Sequence, residues 1–169
     1  MTMMIALILS TNYVMFGLPN VKLMDMLVFL SGFWLGPLYG AATGALSWMV
    51  YGTMNPLGFS ILTFVTVIPM EMVYGLLGGF LGKKAPRSTS SLAWSFAVVG
   101  LLSTLLYDLV TNAVTGVIYY ENVLLGILTG IPLSITHIAS NLLQFAVLAP
   151  LVVTQADKLF LWRLNHIDK

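Results

Sequence analysis

The sequence contains no cysteine. That excludes disulfide frameworks, thiolate metal sites and thiol nucleophiles. Charge is almost as scarce. Of 169 residues, 8% are Asp, Glu, Lys or Arg, against roughly 25% in an ordinary soluble domain. So few charges cannot cover a soluble surface of this size. The net charge of +1 and the lack of a basic, aromatic-rich stretch give no argument for nucleic acid. Catalytic signatures are missing too, with neither H-E-x-x-H nor G-x-S-x-G present. The run ending Gly82-Lys83-Lys84 fails as a phosphate loop, because Leu77 and Lys84 stand where that motif needs Gly and Ser or Thr. The chain is therefore not expected to hydrolyse ATP itself.

What fills the sequence is apolar, at 59% hydrophobic residues. A membrane-spanning helix needs about 20 such residues. The expectation is an all-α integral membrane protein, a compact bundle of six transmembrane helices in one domain over 1–169. The helices are expected at about 3–18, 22–36, 37–52, 59–82, 92–118 and 123–153, with a short amphipathic cytoplasmic tail over 154–169. Residues 1–18 lack a basic start and an A-x-A site, so they read as a retained helix. Gly36-Pro37 and residues 53–58 (TMNPLG) read as breaks. Pro69 reads as a kink in helix 4, and Gly130 and Pro132 as a bend in helix 6.

Basic residues near helix ends stay on the cytoplasmic side. Lys83, Lys84, Arg87, Lys158, Arg163 and Lys169 fall on one side of a six-span arrangement, and Lys22 alone on the other. Both termini are then cytoplasmic, and the loops near Asn20, Asn55 and Glu121 open outward. Small residues four apart (Gly32, Gly36, Gly40 and Gly44; Gly75 and Gly79; Gly78 and Gly82; Gly126 and Gly130) indicate close helix packing within the chain. Ala6 and Ser10 repeat the spacing on helix 1, where the stripe could instead face another subunit.

Ionisable groups at membrane depth are costly and are functional candidates. Asp25, Glu71, Asp108 and His137 are the four here. Asp108 shares a face of helix 5 with Thr104, Thr111, Asn112 and Thr115, and helix 6 carries Ser134, His137, Asn141 and Gln144. Two such stripes on consecutive antiparallel helices predict one polar seam. For Asp108 and His137, structural hydrogen bonding and ligand contact stand as equal alternatives, whereas Asn112 and Asn141, placed nearer the outside, lean toward ligand contact. Tyr13, Trp48, Tyr51, Tyr119 and Tyr120 are expected around the outer mouth, as interface-belt aromatics or as rings that stack on a flat ligand. Glu71, Asp108 and His137 could alternatively serve an intramembrane enzyme, around a metal or as acid and base. A purely structural subunit of a larger membrane complex is the third reading.

The stretch from Leu18 to Gly58, LPNVKLMDMLVFLSGFWLGPLYGAATGALSWMVYGTMNPLG, resembles the substrate-binding (S) component of energy-coupling-factor transporters. The marks are the PNV turn, the F-x-x-G-x-x-x-G-P-x-x-G-x-x-x-G run and the Asn-Pro loop, and YDLVTNAVTG from Tyr107 to Gly116 suits the family's helix 5. The resemblance implies high-affinity capture of a vitamin or related micronutrient at the outer face of a prokaryotic plasma membrane. It implies as partners a transmembrane coupling subunit and two cytoplasmic ATPases, and no cofactor or metal in this chain. The matching site positions are Glu71, Asp108, Asn112, His137 and Asn141, with Asn55 and Tyr119 in loops. Trp48 or Tyr119 would stack on a ring, and Tyr51 joins them among the expected substrate-binding positions. Ala6 and Ser10 correspond to the family's small-residue docking surface for the coupling subunit.

Overall fold

A computed structural model describes residues 1–56, 58–83 and 88–167, with side chains described to residue 159. Among the described residues the chain is helical, with no strand. The helices are α1 (Thr2–Val14), α2 (Met24–Leu35), α3 (Pro37–Thr53), α4 (Ile61–Gly82), α5 (Thr89–Tyr120), α6 (Val123–Leu143) and α7 (Ala149–Ile167). A wide five-residue turn at Gln144–Leu148 joins α6 to α7 without a break, so these form one rod.

Local chemistry sets the helix starts. The side chains of Ser60, Ser88 and Asn122 accept hydrogen bonds from the backbone N–H of Thr63, Ser91 and Leu125, satisfying donors that the first turn leaves open. Pro37 opens α3, where its missing N–H costs nothing. Gly36, the lone residue between α2 and α3, has φ +98°, a conformation that only glycine adopts freely. The chain therefore reverses in one residue.

Three segments, Ile61–Gly82, Thr89–Tyr120 and Val123–Leu159, are long and apolar enough to cross a membrane. Their outward faces present Leu102, Leu109, Leu128 and Ile135, which suits lipid and not water. The two short apolar helices α1 and α2 have 13 and 12 residues, roughly 20 and 18 Å at 1.5 Å per residue. Among the described residues six helical rods are present, and three of them have full spanning length.

Several expected boundaries move. Helix 1 ends at Val14 and not near residue 18. The α6 helix runs continuously through Gly130 and Pro132, and an irregular turn follows at Gln144–Leu148. The segment expected as a tail continues the helix to Ile167. Lys84, Arg87 and Lys169 lie outside the described residues, as does the side chain of Arg163. Lys83 and Lys158 sit at the end where α4 stops and α5 starts, opposite Lys22.

Glycine decides the packing. A Cβ on Gly32 or Gly40 would collide with the Gly75 carbonyl, and one on Gly78 or Gly82 with the carbonyls of Phe29 or Phe33. The α2–α3 hairpin thus presses backbone to backbone onto α4, as small residues in lipid-facing bundles permit. Met24 to Gly32 is buried without interruption, so α2 is the central element. Phe29 packs edge-on against Phe96 and Phe145, with ring centres 4.9 and 5.1 Å apart. The α5 and α6 helices run antiparallel, Gly116 against Gly126 at one end and Gly100 against Phe145 at the other.

Candidate functional site

The expected polar seam between α5 and α6 exists, and it is layered. Asn112 donates to Ser134 at 3.0 Å. One turn further, Asp108 Oδ1 lies 2.8 Å from His137 Nδ1. One turn beyond that, Asn141 donates to Thr104 at 2.9 Å, and Thr104 also accepts from Tyr74 at 2.9 Å. The i, i+4 spacing of His137 and Asn141 on α6 matches that of Asp108 and Thr104 on α5, as antiparallel helices require.

The first turn of α2 completes the centre. Asp25 Oδ2 lies 2.8 Å from His137 Nε2 and accepts from Asn141 at 2.6 Å. Both imidazole nitrogens therefore face carboxylates. A neutral ring has one N–H, and only the doubly protonated ring donates to both. Glu71, on α4 just after Pro69, is buried beside the Asp25 carboxyl. Tyr107 stands edge-on to the imidazole with ring centres 5.2 Å apart. Four helices thus meet at one charged centre that sequence separation disguises, Asp25 and His137 being 112 residues apart.

Above this centre the chain opens toward the Asn55 end. A pit of about 40 Å³ is bordered by Asn20, Lys22, Asp25, Glu71, Tyr107 and His137, with Trp48 as a wall. A pit that size holds about one water molecule. A cavity of about 270 Å³ lies on the other side of Trp48, bounded by Gly52, Asn55, Gly58, Ser60, Thr63 and Phe64. This is near the lower end of small-molecule pockets. The Lys22 ammonium caps the aromatic wall, 4.5 Å from the Tyr51 ring centre and 5.4 Å from that of Trp48, within cation–π range. Trp48 and Tyr51 stack with centroids 5.1 Å apart.

The candidate residues thus separate. Glu71, Asp108, His137 and Asn141 meet in the charged centre, where Asp108, His137 and Asn141 bond to protein groups. Trp48 and Asn55 line the larger cavity. Four positions need correction. Asn141 is not near the outside, for it lies one turn deeper than His137 and is 1% exposed, because α6 descends from the Asn122 end. Trp48 and Tyr51 are buried and so are not belt residues. Tyr119 is 64% exposed at the tip of the α5–α6 hairpin with Tyr120, away from the other aromatics. Asn112 stays within the α5–α6 seam, half-buried against Gly130 and Ser134. Ala6 and Ser10 are exposed on α1.

Sequence reasoning recognised Asp25 as a membrane-depth acid but left it out of the site, and it missed Lys22, Tyr74 and Tyr107. A lone lysine beside a membrane-depth acid, PNVKLMD, was the available signal. Among the described residues, no three His, Asp or Glu side chains are grouped to hold a metal ion.

Fold and site together define a helical membrane protein with a charged centre buried between its helices. Comparison with protein-family profiles, with characterised proteins and with solved structures returned no match.

Proposed function

We propose that this chain is the substrate-capture subunit of an energy-coupling-factor importer in a prokaryotic plasma membrane, crossing it six times with both termini inside. The observation that carries the reading is the cavity of about 270 Å³ at the Asn55 end, the end opposite Lys83 and Lys158. That end faces outward if basic residues mark the cytoplasm. A second feature supports it. The loop between α1 and α2 dips into the bundle, with Asn20 donating to the Leu133 carbonyl at 3.2 Å. Leu133 is ten residues into α6, so this loop sits roughly 15 Å below the hairpin tip. Irregular backbone at membrane depth is tolerated where it lines a cavity or is buried in protein.

The ligand would be a small metabolite with a flat or apolar part against Trp48 and Phe64. Asn55, Ser60 and Thr63 would supply polar contacts, and Asp25 and Glu71 would lie behind. A transmembrane coupling subunit and two ATPases would provide the energy. The resemblance over residues 18–58 fits this arrangement. Mass spectrometry of small molecules that co-purify with the detergent-solubilised protein tests it. A stoichiometric metabolite supports capture, and protein that stays empty after exposure to a vitamin panel at micromolar concentration rejects it.

The intramembrane-enzyme reading keeps one favourable observation, the 2.8 Å Asp108–His137 contact. Against it, His137 is bound on both sides, which leaves neither nitrogen free to act on a substrate.

A further inference from the structure

The charged centre contains a group that capture alone does not use. Glu71 is 2% exposed, and its Oε2 atom is enclosed without a donor. Its neighbour is the Asp25 carboxyl, which already accepts from His137 and Asn141. The two carboxyl groups border one pit of about 40 Å³, and a hydrogen bond between them needs a proton, since two carboxylates offer only acceptors. Every charged or titratable group facing the pair is accounted for: Lys22 before α2, Tyr74 on α4, Tyr107 and Asp108 on α5, and His137 on α6. His137 is held by Asp25 and Asp108, and the Lys22 ammonium is drawn over the Tyr51 and Trp48 rings. Neither cation donates a hydrogen bond to Glu71.

The location of Glu71 gives that proton a mechanical consequence. Pro69 sits two residues earlier inside α4, so the Val65 carbonyl has no N–H to accept from at that turn. The segment before it, from Ile61 to Ile68, is mostly half-buried or exposed, whereas the segment after it is clamped by Gly75, Gly78 and Gly79. Pro69 thus leaves a weakened turn between the glycine-packed segment and the one before it. That earlier segment carries Ser60, Thr63 and Phe64, one wall of the larger cavity.

We propose that Glu71 and Asp25 form a binding site for one exchangeable proton, reached through the pit, and that its occupancy sets the position of the α4 segment walling the ligand cavity. With the proton present, Glu71 donates to Asp25 and holds α4 against α2. When the proton leaves to water in the pit, two adjacent carboxylates repel across the start of α2, and α4 yields two residues away at Pro69, where its ladder lacks a hydrogen bond, which shifts the segment before it. The gating half rests on the reading of the cavity as a ligand site; the proton site does not.

The test uses the full chain in nanodiscs, in two measurements. Infrared difference spectroscopy across pH should show the carbonyl stretch of one protonated carboxylic acid in the wild type, lost in Glu71→Gln. The absence of cysteine makes Thr63→Cys a unique label position. Its reaction rate with a membrane-impermeant thiol reagent, divided by that of an exposed Tyr120→Cys control, should rise several-fold as pH is raised. Glu71→Gln, whose amide still donates to Asp25, should make that ratio independent of pH. No wild-type carboxylic acid band at any pH overturns the proton site. A band with a flat Thr63→Cys ratio overturns the gating. Both present in a protein that captures no metabolite would reject the capture reading and leave the proton site standing.

Discussion

The Nε2 atom of His137 lies 2.8 Å from Oδ2 of Asp25, and it ties the central helix α2 to the α5–α6 hairpin. With Asp108 on the other nitrogen, the imidazole bridges two carboxyl groups. A paired buried charge is tolerable, but an orphaned one is not. His137→Leu leaves both carboxylates without their shared donor and is expected to lower stability by about 3–5 kcal/mol. Replacing Asp25, Asp108 and His137 together by Leu should cost less than His137→Leu alone. Equilibrium unfolding in mixed detergent measures both, and additive losses would contradict the bridge.

Glycine substitutions separate packing from backbone freedom. Gly75→Ala places a methyl group into the backbone of Gly40 and Ala41 and should destabilise by about 1–3 kcal/mol or more, as overpacking does. Gly36→Ala has open space around it but retains φ +98°, and should cost more than about 1 kcal/mol through strain. Gly17→Ala meets nothing within 4 Å at an unstrained backbone, and should be neutral. Thermal unfolding followed by circular dichroism ranks the three.

Filling the cavity discriminates the two candidate regions. Gly52→Trp builds bulk from a wall whose Cβ position is 3.2 Å from Phe64, and should abolish retention of a co-purifying metabolite while the bundle stays folded. Asn112→Ala removes one hydrogen bond to Ser134, worth about 1 kcal/mol of stability, and should leave retention unchanged. Mass spectrometry on the two variants gives the contrast. The opposite pattern would move the site to the α5–α6 seam.

Ala6 and Ser10 face outward from α1 while Ile8 and Asn12 point into the bundle. Ala6→Trp should therefore leave folding and metabolite retention intact and block co-purification with a coupling subunit. Unimpaired co-purification would remove helix 1 from the docking surface.

Helical class, membrane character and the glycine contacts were legible because they follow from local composition and from spacing along one helix. Gly32, Gly40, Gly75 and Gly79 announce close approach by being small at intervals of four. The α5–α6 layers were legible too, since a short turn at Glu121-Asn122 forces antiparallel neighbours, and residue counting then pairs Asp108 with His137. The same counting mis-set Asn141 only where the direction of α6 was overlooked.

The sequence by itself determined that apolar helices would enclose a few ionisable groups, because lipid leaves those groups no exposed position they could occupy at low cost. Only the tertiary structure decided that Asp25 joins His137, that Glu71 stands behind it, and that Trp48 divides the pit from the cavity. Those contacts join helices far apart along the chain. The one-residue reversal at Gly36 and the kink-prone Pro69 set where α2, α3 and α4 meet, and no periodicity within a single helix encodes which partner a buried charge will find.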